Sequence, residues 1–149
     1  MKRITFIASL LSGYKIVLDI GTDHGLVLKK ALDLKYIQKG IASDIKPQPL
    51  FQAYQNLKKY PVEFYLSDGF SQIRSVFDLA LICGMGSHTI INILKNQLYM
   101  ERPLILGCQG KWLPLIYWLK QNDFEILNYY NFFDKFNYLF LKVIRKKKL

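Results

Sequence analysis

Acidic residues are scarce in this chain: 11 stand against 21 lysines and arginines in 149 residues, a formal net charge of +10. So basic a domain is biased toward polyanions, because each phosphate a cation neutralises releases counterions. Lys-rich coding bias competes with that reading, since Ile, Tyr, Phe and Asn are abundant too. Part of the charge also sits in the tail from Arg145 to Lys148, where it can serve solvation alone. Cysteine is scarcer still. Cys83 and Cys108 are the only two, no Cys/His pair has zinc-ligand spacing, and reduced thiols with no metal are expected.

Long apolar runs are missing as well. Leu79-Ala80-Leu81-Ile82-Cys83 and Leu104-Ile105-Leu106 suit buried strands and fall far short of the ~20 residues that span a membrane. No membrane partner is expected. The N-terminus, Met1-Lys2-Arg3 and then Ile4 to Leu11, faintly resembles a secretory signal, but Thr5 and Ser9 break its apolar stretch and no small-x-small cleavage site follows. An amphipathic first helix is the better reading, and the expected compartment is cytoplasmic. Repeats, low-complexity segments and Gly/Ser linkers are absent, so a single domain over 1–149 is expected.

What is present is core material: 51% of residues are hydrophobic and 15% aromatic, enough to bury roughly 70% of the unfolded chain's surface at this length. Short apolar runs alternate with helical patterns. Lys15–Ile20, Ile41–Asp44, Val62–Leu66, Asp78–Cys83 and Leu104–Leu106 read as strands. Leu26–Tyr36, a stretch from Pro47 or Pro49 to about Tyr60, Ser87–Gln97 and Trp112–Gln121 read as helices, proline being tolerated in a first turn. A short helical piece is expected between Gly69 and Asp78, and Ser87 is a candidate N-cap. This alternation predicts a parallel sheet with helices on both faces. Phe124–Phe133 and Tyr138–Ile144 break the rhythm, because the four residues between them permit only an antiparallel hairpin. The fold class expected is therefore α/β: a Rossmann-like, mostly parallel seven-stranded sheet with an antiparallel terminal hairpin, the layout of class I methyltransferases. An ordinary dinucleotide dehydrogenase does not usually end this way, and no substrate domain is present.

Ligands of open α/β sheets bind beyond the carboxyl ends of strands, and the informative residues fall there. Asp19-Ile20-Gly21-Thr22-Asp23-His24-Gly25 follows the first strand, where Gly21 allows a tight turn and close backbone approach. A turn needing glycine for geometry alone is the competing reading. Asp44 ends the second strand, where a carboxylate can accept both hydroxyls of an adenosine ribose, or cap the helix at Pro47. Asp68-Gly69 ends the third, where the carboxylate can accept from an adenine amino group, or form a simple turn. Gly84-Met85-Gly86 follows the fourth strand and leaves the surface open for a flat base, with Met85 better suited to packing. His88 is a candidate phosphate contact or a solvated residue of the next helix's first turn.

Together, Asp19–Gly25, Ala42-Ser43-Asp44-Ile45, Ser67-Asp68-Gly69 and Gly84-Met85-Gly86 resemble the bacterial tRNA adenine-22 N1-methyltransferases, the TrmK family. The likeness runs from about Arg3 to Val143 and includes Trp118-Leu119…Asn122…Phe124 and Lys135-Phe136…Tyr138. It implies S-adenosylmethionine as donor, held by Asp19, Gly21, Asp44, Ile45, Asp68, Gly69 and Gly84. It implies N1 of an adenine in tRNA as acceptor, and no metal. Asp23, His24 and Gln109 are the candidates for positioning the acceptor, against readings of Asp23 as a helix cap, His24 as a half-buried member of its turn and Gln109 as an ordinary loop amide. Surface lysines such as Lys29, Lys30, Lys58, Lys59 and Lys111 are candidates for the tRNA backbone.

The sequence also departs from the family. Members usually continue into a C-terminal helical domain thought to help hold tRNA, whereas this chain ends after the hairpin, which raises a protein partner as a replacement. Lys46-Pro47-Gln48-Pro49 stands where Asn and Gly-Pro are usual, Ser87 where a further Gly is, and Gln109-Gly110 where Gln-Pro is. Another RNA or a protein side chain as acceptor, and a catalytically silent tRNA-binding or partner-binding module, are the alternative readings.

Overall fold

The computed structural model describes residues 2–95 and 101–146. Helix α1 (Lys2–Leu10) precedes strand β1 (Ile16–Ile20), α2 (Leu26–Asp33), β2 (Lys39–Asp44), α3 (Pro47–Leu57) and β3 (Val62–Leu66). Then come β4 (Leu79–Gly86), α4 (Ser87–Lys95), β5 (Leu104–Gln109), α5 (Leu113–Gln121), β6 (Phe124–Asp134) and β7 (Phe136–Arg145). The seven strands form one sheet in the order β3-β2-β1-β4-β5-β7-β6. The first five are parallel neighbours, and β7 enters antiparallel between β5 and β6.

The inner parallel strands β1, β2, β4 and β5 carry consecutive buried residues, which is why they read as runs rather than as alternation, whereas the edge strand β3 is only partly buried. One face of the sheet packs Val17, Leu79, Leu81, Ile105 and Phe140 against α1 and α2. The other packs Leu18, Ile41, Ala80 and Ile82 with Ile90 and Leu94 of α4 and Leu115 of α5. Each large side chain fully buried here contributes about 1.5–3 kcal/mol. Prolines sit at the first turns of α3 and α5, where no backbone N–H is missed. The hairpin turns at Lys135, whose φ is 64°, with Asp134 paired directly to Phe136.

Three local expectations are corrected. Between Gly69 and Asp78 there are only turns: Ser71 and Ile73 donate three residues back, to Asp68 and Phe70, and the Gln72 N–H is taken by the Ser67 hydroxyl oxygen. The fourth strand does not close at Gly84; it bulges there and continues to Gly86. Ser87 opens α4, but its hydroxyl donates to the Lys111 carbonyl rather than serving as a cap. Residues 96 and 97, the expected end of that helix, and the tail lysines 147 and 148 lie outside the described residues. No described helix is long and apolar enough to cross a membrane, and no three His, Cys, Asp or Glu side chains among the described residues cluster as metal ligands would.

Candidate functional site

Strand order reverses between β1 and β4, the place where open α/β sheets bind ligands. The loop leaving β1 turns back sharply: Gly21, Asp23 and Gly25 have φ of 73°, 55° and 74°. Left-handed backbone is free for glycine and tolerated by aspartate better than by most residues. The end of β2 holds this loop in place. Gly21 and Thr22 donate to the Ser43 carbonyl at 3.0 and 2.8 Å, and the Asp23 N–H donates to Asp44 Oδ2 at 3.1 Å. The other oxygen of Asp44 accepts from the Lys46 N–H at 3.1 Å. Both capping alternatives fail, because the N-caps of α2 and α3 are Gly25 and Lys46, neither with a side-chain cap.

Asp19 is only 4% exposed, and its Oδ2 accepts from the Thr22 hydroxyl at 2.9 Å. Burial pushes its carboxyl up from 3.8 to about 7; the Thr22 hydrogen bond opposes the rise, and the charges of Asp44 and Asp23 add to it. Among the described residues no lysine or arginine pairs with Asp19 or Asp44. These two carboxylates therefore suit a cationic ligand. Next to them the Cys83 thiol is pushed up to about 12, first by burial and then by Asp19, so it is a neutral packing group.

A cavity of about 210 Å³ opens between α1, α2 and the carboxyl edge of the sheet. Asp19, Gly21, Asp23, His24, Gly84 and Gln109 all line it. Gly84, at φ 80°, has no atom within 4 Å of the place a Cβ would take, so the bulge leaves open space in the cavity wall. Met85 instead lays its methyl over Gly21, in keeping with a packing role. His24 is exposed, not half-buried, and its Nε2 lies 3.6 Å from Asp23 Oδ1. Asp44 and Ile45 lie at the neighbouring strand end, outside the cavity lining. Asp68 and Gly69 line a separate depression against Thr89 and Asn92 of α4. The candidates thus form a row along the edge, in strand order, rather than one closed pocket.

Two further wall residues had no role in the motifs. Arg3 comes from α1 and Tyr138 from β7; Arg3 Nη1 donates to the Tyr138 hydroxyl at 3.0 Å, with the guanidinium 5.1 Å from the ring centroid. Nothing around Arg3 in the sequence marks it, and Tyr138 showed only as part of the family-like ending. Of the five lysines singled out, Lys111 alone stands at this edge, just past β5. Lys29 and Lys30 lie along α2, and Lys58 and Lys59 follow α3 at the opposite end of the sheet.

Compared with known proteins, residues 1–140 match a family described as "Methyltransferase domain". A Mycoplasma genitalium protein, provisionally named a tRNA methyltransferase, is 29% identical over 133 residues, covering 85% of this chain and 61% of that protein. The chain spans about three fifths of the length of the curated relatives it matches. The solved structure of M. capricolum TrmK, in complex with S-adenosyl-homocysteine, is 25% identical with a TM-score of 0.82, over 99% of this chain and 69% of that one. A Streptococcus pneumoniae structure, provisionally a tRNA (m1A22) methyltransferase, is 26% identical with a TM-score of 0.87, over 100% and 72%.

Proposed function

This chain belongs to the methyltransferase-domain family, and from that premise we propose that it methylates N1 of an adenine in tRNA, at position 22, with S-adenosylmethionine as donor. The observation that carries the proposal is the single cavity in which buried, cation-hungry Asp19 and the open Gly84 bulge meet the exposed Asp23, His24 and Gln109. The relatives named for tRNA methylation support the acceptor.

S-adenosylmethionine, when bound, supplies an electrophilic methyl group on a positively charged sulfur. Asp19 is suited to balance that charge, Gly21 and Gly84 to leave room for close approach, and Asp44 to accept from ribose hydroxyls. Ile45, Asp68 and Gly69 stand where the adenine end of the donor would reach along the edge. Asp23, His24 and Gln109 hold the acceptor base edge-on. N1 of adenine carries its own lone pair, so no strong base is required and positioning supplies most of the rate. The base must leave its stack to enter, which favours a loop or junction over a regular duplex. The net charge of +10 supplies attraction to the backbone, with Lys111 the best placed of the lysines. A tRNA substrate also places the work in the cytoplasm.

Transfer of labelled methyl to unmodified tRNA, with nucleoside digestion, tests the reading. Label in 1-methyladenosine at position 22 is expected. Asp44→Ala should weaken donor binding by roughly a hundredfold in calorimetry, the worth of two charge-assisted hydrogen bonds at about 1.5 kcal/mol each. Donor binding without label in tRNA would reject the acceptor and retain the donor.

A further inference from the structure

A second hollow opens at the same edge, beside the cavity, and shares Arg3, Gln109 and Tyr138 with it. Its outer walls are Trp112, at the entry to α5, and Phe136, just past the hairpin turn. The two rings are 40% and 68% exposed, and among the described residues neither stacks on another ring or a cation. Each has an exposed lysine as its chain neighbour, Lys111 before Trp112 and Lys135 before Phe136. The Ser87 hydroxyl holds the Lys111 carbonyl, so the loop carrying Trp112 is tied to α4. None of these four side chains has a part in holding the donor or the acceptor base.

We propose that this hollow takes the nucleobase next to the methylated adenine, stacked on Trp112 and Phe136, with Lys111 and Lys135 on the adjoining phosphates. The inference rests on the reading of RNA as acceptor. Pulling one base out of a strand leaves its neighbour with an uncovered face. Aromatic side chains replace that lost stacking for any base, and flanking cations follow the backbone. Continuity with the acceptor cavity and two flanking cations favour a nucleic acid strand over an apolar protein segment.

The test is anisotropy of a labelled single-stranded hexaribonucleotide with a central adenine, titrated with the wild type, Trp112→Ala, Phe136→Ala and Trp112→Phe. Each alanine variant should bind roughly five- to hundredfold more weakly, the range for losing one base–aromatic stack. Trp112→Phe, which keeps a ring, should recover most of the loss. Donor affinity by calorimetry reports that each variant is folded. Alanine variants that bind the oligonucleotide as the wild type does would overturn the inference alone if methyl transfer to tRNA is intact. Unchanged RNA affinity with lost self-association in light scattering would give the rings to a protein contact instead. A wild type that neither binds RNA nor methylates it would overturn this inference together with the function it rests on.

Discussion

Over β3, β2 and β1 the carboxyl edge of the sheet ends in Asp68, Asp44 and Asp19; over β4, β5 and β7 it presents Gly84, Gln109 and Tyr138, with Arg3 leaning in from α1. The first half is acidic and pinned by backbone N–H groups of the β1 loop that donate to the Ser43 carbonyl and the Asp44 carboxylate at the end of β2. The second is open, aromatic and flanked by cations. The division suits the proposed pair of ligands, a cationic donor with sugar hydroxyls along the acidic half and a flat base on an anionic strand toward the open half, with Asp23, His24 and Gly84 lining the cavity where the two halves meet. It also separates two ways of building a site, from local motifs and from distant residues.

The largest effect should come from the acidic half. In the folded protein Asp19 holds its proton up to about 7, against 3.8 ordinarily. The folded state therefore binds the extra proton across that window, and stability falls as pH rises from about 4 to about 7 and is level above it. At ~1.4 kcal/mol per pH unit the loss is at most about 4 kcal/mol. Asp19→Asn should abolish this slope in urea melts, leaving the variant more stable than the wild type at pH 8 while it binds donor poorly. Parallel pH profiles for the two proteins would show that the carboxylate is already compensated.

A smaller effect is expected beneath the open half. A Cβ on Gly107 would lie 2.5 Å from Cys83 Sγ and 2.7 Å from the ring of Phe140, which is 2% exposed and has little room to yield. Gly107→Ala should cost about 1–3 kcal/mol in urea unfolding, the usual range for overpacking. A neutral result would mean the floor of the cavity is softer than its packing implies.

The smallest concerns Arg3 and Tyr138. Tyr138→Phe keeps the ring and removes one exposed hydrogen bond, so kcat/KM for tRNA should fall no more than about fivefold, ~1 kcal/mol, with stability unchanged. A loss of a hundredfold would instead put the hydroxyl on the base itself and sharpen the division of the edge.

The two halves were unequally legible. Val62–Leu66 reads as a strand with the bounds it adopts, because a short run of β-branched and aromatic residues is closed by the Asp68-Gly69 turn. Asp44 and Asp68 were legible because each stands where a run stops, and Asp19 because it is the one charged residue inside its run, one position before the end. The turns after Gly69 were misread as helical because the Ser67 hydroxyl, not a backbone carbonyl, takes the Gln72 N–H. The bulge at Gly84 was missed because it depends on how β4 registers with β5. The exposure of His24 depends on Asp23 being clamped by a residue 21 positions away.

By itself the sequence determined the alternation of strands and helices, the antiparallel ending, the acidic strand ends and the basic charge, since these follow from local periodicity, turn length and composition. Only the tertiary structure decided that Arg3 meets Tyr138 across 135 positions, that Asp44 clamps the neighbouring loop, and that Trp112 and Phe136 wall one hollow. Those contacts depend on which strand lies beside which, and that order is set by burying both faces of one sheet rather than by any short stretch of chain.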